Sequence, residues 1–417
     1  MDTKVIGKNF PNYYSKKQVT GKLIFGADIK YPNACYAKIL RSKYAHAKIK
    51  NIDTLKARSL NGVLAIITGK DIPHNIFGST HKDQPMIAQD KVRYMGDPVA
   101  VVAAEDENIA EKALNLIDLK YEKLPAIFDS IEAMKKNAFP IHRNGNIASH
   151  LQIKKGDVEK GFKKSDFIFE ETFKTNAVEH VHIEPHAATA VTDEDGHLTV
   201  WSAVQRPFLV AADISKILKI PLNKVRVIAT AVGGGFGGKN EITMEPLISL
   251  LAFKTKRPVQ MIYTREEEFR ASTVRHPFIM KYKSGVKKDG KIVSRKVEII
   301  SDSGAYVSWG ESVLKKAIIH CFGPYQIPNL MADGYLVYTN NSIGGSMRGF
   351  GVTQVAFAYE NHTDSIARNL NIDPVKFRLK NIYDEGCKNA TDQTLHNVTI
   401  REVLTKAIKI SQEMREK

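Results

Sequence analysis

The sequence has only three cysteines, Cys35, Cys321 and Cys387, widely scattered and with no C-x-x-C pair. That argues against a disulfide framework or an iron–sulfur cluster held by this chain, and it suits a reducing cytoplasm. Also missing is any run of about 18 apolar residues, the length a membrane-spanning helix needs. The opening MDTKVIGKNFPNYYSKKQ lacks the apolar stretch of a secretion signal. A cytoplasmic location without a membrane span is therefore expected. Arginine-rich tracts and basic patches interleaved with aromatics are absent too. The net charge of +16 comes from lysines spread along all 417 residues, which reads as a solvated surface and not as a nucleic-acid interface. With 43% hydrophobic and 25% charged residues, the composition is that of a globular protein with room for two or three domains.

What the chain has in concentration is glycine, at one place. In Lys224–Asn240, KVRVIATAVGGGFGGKN, a strand-like alternation runs into five glycines broken only by Phe236. A helix-like segment, Glu241–Lys254, is expected to follow at once. Such a turn gives up chain entropy, which makes sense where the backbone takes positive φ or lies flat against a ligand. Strand, turn and helix N-terminus would together meet an anion. The string Gly233–Lys239 fits a P-loop, except that Asn240 stands where a Ser or Thr should hold magnesium. It also fits G-x-G-x-x-G, without a clear βαβ unit around it. A tight structural turn is the third reading.

Around this turn the chain reads as mixed α and β. Leu23–Ala27, Tyr36–Leu40, Gly62–Thr68 and Val99–Ala104 read as strands, and Asp106–Leu119 as a helix with acids in its first turn. Residues 131–160 read as a linker, punctuated by Pro140, Gly145, Asn146 and Gly156. Beyond it, Phe167–Phe173, His197–Gln205 and Pro258–Thr264 read as strands, and Met280–Ser303 as a hairpin turning at Lys288–Asp289–Gly290. A helix led by Pro207 should bury Val210, Ile214, Ile217 and Leu218, and further helices are expected at Glu311–Ile319, Thr353–Leu370 and Ile400–Glu416.

Three more strings carry possible chemistry. In SMRGFG (Ser346–Gly351), an arginine with two glycines offers a guanidinium and free N–H groups to an oxyanion, or simply a loop capping the next helix. In EHVHIEPH, His180, His182, Glu184 and His186 alternate, so a strand would put them on one face, where they could hold zinc. Gln205 ends a strand and can be presented over the glycine turn.

GGGFGGK resembles the molybdopterin-binding turn of the xanthine dehydrogenase, aldehyde oxidase and carbon monoxide dehydrogenase family, and SMRGFG resembles the FRGFG loop of the same family. GKLIFGADIKYPNACYAKILRSKYAHAKI and RYMGDPVAVVAAEDENIAEKALNLIDLKYEKLPAIFD resemble its small α/β hammerhead domain. The resemblance implies an α+β chain: a hammerhead domain over 1–130, the linker 131–160, and a first molybdopterin-binding domain of mixed sheets and helices over 161–417. It implies that Gln205, Gly235, Phe236, Gly237, Arg348 and Gly349 hold the cofactor. Of these, Gln205, Phe236 and Arg348 would stand nearest the molybdenum. Phe350 would stack on the substrate ring, with Asn240 and Lys316 orienting it.

In this family the positions of Asn240 and Lys316 carry glutamate and arginine in purine enzymes, which disfavours xanthine itself. A glycine after Arg348, where carbon monoxide enzymes carry cysteine, disfavours that gas. The implied activity is hydroxylation of an N-heteroaromatic compound, nicotinate- or purine-like, with water as the oxygen source. An aldehyde substrate and a non-catalytic scaffold are the alternatives. The implied cofactor is molybdopterin with molybdenum, in its cytosine dinucleotide form. The family's later pterin-binding half, with its general-base glutamate, is not found in these residues. A second molybdopterin-binding chain is therefore expected as partner, with iron–sulfur and flavin (FAD) subunits completing the electron path.

Overall fold

The computed structural model describes residues 3–415. Its main strands, in chain order, are β1 (Cys35–Arg41), β2 (Val63–Thr68), β3 (Pro98–Ala104), β4 (Ile147–Lys155), β5 (Phe167–Thr175), β6 (Ala187–Thr192), β7 (Leu198–Ser202), β8 (Val225–Ala229), β9 (Val259–Ile262), β10 (Phe278–Val286), β11 (Ile292–Gly304) and β12 (Asn329–Tyr338). The helices that matter here are α1 (Glu107–Asn115), α2 (Pro207–Leu218), α3 (Glu245–Thr255), α4 (Gly310–His320), α5 (Val352–Asn369) and α6 (Ile400–Arg415).

Two sheets organise the molecule. The first is seven-stranded, in the order β8-β7-β6-β9-β1-β3-β2, and the parallel pair β1–β9 (Cys35 opposite Val259) joins early strands to late ones. β3, PVAVVAA, is buried on both faces, as its unbroken apolar run predicts. On one face Val210, Ile214 and Ile217 of α2 and Leu247, Ile248 and Leu251 of α3 pack against β-strand residues such as Val101, Val200 and Met261. On the other, Ala110 and Ala113 of α1 cover Ala100, Val102 and Ala104. The second sheet is five-stranded, in the order β5-β10-β11-β12-β4. Its core takes Val313, Leu314 and Ala317 from α4 and Val355, Ala358 and Ile366 from α5.

Five expectations need correction. Leu23–Ala27 is not a strand: Phe25 makes a single bridge to Ala231, and the chain then enters a 3-10 turn at Gly26–Asp28, which Asp28 closes by accepting from Phe25 N–H (2.9 Å). The helix expected over Asp106–Leu119 stops at Asn115, since Asp118–Lys123 pairs with Ala47–Asp53 as a strand. Residues 131–160 are not a linker throughout: β4 pairs along β12, with Gly145 and Gly156 turning the chain at either end. The helix after the glycine turn begins at Glu245, with Pro246 in its first turn. EHVHIEPH is in a strand only at its first residue, Glu179, the end of the short strand Val178–Glu179, because Val181 takes φ +49°. The other elements fall where the sequence put them, the Lys288–Gly290 hairpin included. Glu416, the expected end of the last helix, lies outside the described residues. Among the described residues no helix is long and apolar enough to cross a membrane.

Candidate functional site

β8 delivers the chain into the glycine turn at the edge of the first sheet. Phe236 and Gly237 both take positive φ, +52° and +105°. Space explains the glycines as much as conformation does. A Cβ on Gly235 would stand 2.5 Å from Gln205 Oε1, and one on Gly237 would stand 2.5 Å from the Ser346 carbonyl oxygen. Glu184, His182 and His180 back Gly233, Gly234 and Gly238 in the same way. The turn is pressed between two other segments, and glycine is what fits.

Gln205 sits three residues past β7. Its Oε1 accepts from the backbone N–H of Gly237 (3.0 Å) and of Lys239 (3.3 Å), and its own backbone N–H donates to the Lys239 carbonyl (2.9 Å). Two donors on one oxygen fix the amide: carbonyl toward the turn, NH2 toward the exposed side. The N–H groups of Gly234, Gly235 and Phe236 have no hydrogen-bond partner among the described residues. Consecutive free donors of this kind form an anion-binding nest. Beside the turn lies a cleft of about 1210 Å³, lined by Lys17, Lys22, Val181, Ile183, Gly233 and Phe236 among others.

The second loop, Ser346–Gly351, meets the first directly. Arg348 N–H donates to the Phe236 carbonyl (2.9 Å), and Asn240 Nδ2 donates to Ser346 Oγ (3.0 Å). His180 Nε2 donates to the Ser346 carbonyl (2.8 Å). From the other side Arg275 donates to the Arg348 carbonyl (2.8 Å) and to Thr353 Oγ1. Gly349, Phe350 and Gly351 all have positive φ, and Gly351 caps α5. The Phe350 ring lies 6.4 Å from that of Trp309, nearly edge-on.

Gln205, Gly235, Phe236, Gly237, Asn240, Arg348, Gly349 and Phe350 are thus gathered at one place. Lys316 is exposed on α4 and makes no hydrogen bond with any of them. Asn240 uses its amide nitrogen to hold Ser346, so it links the loops instead of facing outward unpaired. Two anion-binding readings fail. Lys239, the lysine of the P-loop string, is fully buried and pairs with Glu184 (2.8 Å) beneath the turn. The N-terminus of α3 is buried as well: Glu245 accepts from Thr243 N–H and Ser202 Oγ and closes it.

A buried polar layer under the turn was only half visible in the sequence. His186 Nδ1 lies 2.9 Å from Glu268, and His182, His186 and Glu268 bring ligand-type atoms within 4.8 Å of one another. His182 Nδ1 donates to the Glu184 carbonyl, and the Glu184 carboxylate holds Gly26, Gly233 and Lys239. The spacing of EHVHIEPH pointed at the histidines, but not at Glu268, which arrives from a helix 82 residues away. Burial alone would raise the Glu268 pKa. Hydrogen bonds and charge from His186 outweigh it and hold the group at about 2.

Glu268→Gln should therefore destabilise the chain by about 3 kcal/mol at pH 7, read from denaturant unfolding. Because the folded pKa lies below the unfolded one, this stabilisation is present above pH 4.5 and fades as pH falls through about 2. An unchanged midpoint for the variant would show that the layer is not bracing the turn. Higher up, the Glu241 carboxyl is enclosed against Ser308, and burial raises its pKa to about 7.

Comparison with known proteins bears on this geometry. Residues 20–125 match the aldehyde oxidase and xanthine dehydrogenase a/b hammerhead domain, and residues 140–382 match the molybdopterin cofactor-binding domain. The chain is 40% identical to the nicotinate dehydrogenase large molybdopterin subunit of Eubacterium barkeri, over 97% of this chain and 96% of that one. It is 35% identical to the xanthine dehydrogenase molybdenum-binding subunit of Escherichia coli, over 94% of this chain and 54% of that one. Quinoline 2-oxidoreductase of Pseudomonas putida superposes with a TM-score of 0.94 at 27% identity, covering 100% of this chain and 55% of that one. Aldehyde oxidoreductase of Desulfovibrio gigas gives the same score at 29% identity, covering 98% and 46%. Apart from the Eubacterium subunit, the chain spans about half the length of these relatives. It belongs to the xanthine dehydrogenase family of oxidoreductases, as a molybdopterin-binding subunit.

Proposed function

We propose that this chain is one half of the catalytic unit of a molybdenum hydroxylase that hydroxylates an N-heteroaromatic compound, nicotinate- or purine-like, with oxygen taken from water. One observation carries the reading. The Gln205 amide points its NH2 outward beside three N–H groups that have no partner among the described residues, at the seam where Arg348 N–H meets the Phe236 carbonyl. A site built of donors, with glycine backbone bare on one side, fits a pterin cofactor whose metal carries oxygen ligands.

Molybdopterin, in its cytosine dinucleotide form, would supply the redox chemistry. Gln205 would offer its NH2 to the molybdenum end of the cofactor, with Phe236, Gly237 and Arg348 presenting backbone to it and Gly235 and Gly349 leaving room. Phe350, itself nearly edge-on to Trp309, would stack on the substrate ring. Asn240 acts one step back, by keeping the two loops together. A second molybdopterin-binding chain would close the site and bring the general base, a glutamate. Iron–sulfur and flavin subunits would take the electrons. The 40% identity to a nicotinate dehydrogenase subunit over nearly its whole length favours a heteroaromatic substrate over an aldehyde.

The test is co-expression with its partners, followed by metal analysis and turnover in oxygen-18 water. About one molybdenum per complex, and nicotinate hydroxylated with oxygen from the water, is the expected result. A complex that assembles without molybdenum would leave a scaffold, and a loaded complex turning over only aldehydes would move the substrate class.

A further inference from the structure

Arg206 follows Gln205 directly and stands at the N-cap of α2. Its guanidinium lies over the indole of Trp309, 4.8 Å from the ring centre. Trp309 in turn meets Phe350. The three side chains form a continuous rim running from the glutamine under the glycine turn to the aromatic of the second loop. Among the described residues the Arg206 side chain has no hydrogen bond and no salt bridge, although the residue is half-buried. Other enclosed arginines are paired: Arg93 with the Ile141 carbonyl, Arg378 with Glu360 and Asp364. The nearest carboxylate in sequence to Trp309, Glu311, is engaged by His81 (2.8 Å) and does not neutralise it.

An arginine stacked on an indole is oriented but unspent. Stacking fixes the plane of the fork, so little further freedom is lost when two N–H groups meet one carboxylate. Lys316 lies seven residues beyond Trp309, almost two turns along α4 and therefore on nearly the same side, about 10 Å further along its axis. A second positive charge thus sits on the same flank.

We propose that Arg206, carried on Trp309, is the anion anchor of the substrate pocket, and that the substrate is a heteroaromatic carboxylate whose ring lies against Phe350. This rests on the hydroxylase reading above. It narrows that reading to acids, and makes Arg206 a determinant of specificity. The carboxylate takes the fork while Lys316 adds field as a point charge, and the ring carbon to be hydroxylated is turned toward Gln205.

The assembled complex carrying Arg206→Gln or Arg206→Lys is assayed with nicotinate and with its uncharged amide, nicotinamide. For the Gln variant the KM for nicotinate should rise about 10- to 100-fold, with kcat changed far less. The Lys variant should fall between, since it keeps the charge and loses the fork. The KM for the amide should move less than about threefold. Equal shifts for both compounds, or none for either, would overturn the proposal. Binding is read separately from turnover: with Trp201 replaced by Phe, Trp309 is the remaining tryptophan of this chain. Nicotinate should quench its fluorescence in the parent and far more weakly in the Arg206→Gln complex. If a molybdenum-loaded complex hydroxylated neither compound, the hydroxylase reading would fall. The quenching titration would still decide whether Arg206 takes an aromatic carboxylate.

Discussion

Gly237→Ala should empty the complex of molybdenum while leaving the chain folded. The new methyl would stand 2.5 Å from the Ser346 carbonyl oxygen and 2.9 Å from its carbon, both backbone atoms of the other loop, and the residue would keep φ +105°. Strain of that kind costs of the order of 1–3 kcal/mol before any clash is counted. The only relief is for the two loops to part, which breaks the Arg348 N–H to Phe236 carbonyl bond and loosens Gly237 N–H from Gln205. Neither core depends on that seam: α2 and α3 still pack on the first sheet, and α4 and α5 on the second. A penalty of about 3 kcal/mol passed on to cofactor affinity is more than a hundredfold. Molybdenum per complex should drop to a tenth or less, with the circular dichroism of the chain retained. A variant that kept a full complement of metal would mean that the two loops do not jointly hold the cofactor.

The sequence was informative where a local pattern has one physical solution. β3 reads as buried because nothing polar interrupts PVAVVAA, and α2 reads as helix because Pro207 and the Val210–Ile214–Ile217 stripe agree. The two glycine-bearing loops were legible as loops, and their family resemblance anticipated that they come together. What the string could not show is direction. Lys239 looks like a phosphate-binding lysine until the fold turns it under the loop onto Glu184. Asn240 looks like a free substrate contact until Ser346 takes its amide. Segment 131–160 looked slack because β4 is an edge strand with alternating exposure and few apolar residues, a weak signal on its own. Glu268 and Arg206 were missed for a related reason: each acquires its meaning from a partner far away in sequence, His186 for one and Trp309 for the other.

Gln205→Glu should lower turnover by about 10²- to 10³-fold in a complex that still carries molybdenum. The choice of glutamate separates two duties of this side chain. The inward oxygen holds the Gly237 and Lys239 N–H groups, and a carboxylate oxygen can do that equally well. The outward NH2 is the only part lost, and with it the donor that would face the cofactor. In its place stands a carboxylate oxygen, which offers no hydrogen and would repel negative charge developing beside it. Alanine would confuse the matter: it leaves two backbone donors unpaired, at about 1–3 kcal/mol each, and the turn itself would shift. If the glutamate variant kept its metal and ran within threefold of the parent, Gln205 would be a strut for the glycine turn and nothing more. If it lost both metal and activity, the outward nitrogen would be needed to hold the cofactor in place, and its share in turnover could not be read from this variant. Only retained metal with lost turnover assigns the outward nitrogen a role in the chemistry.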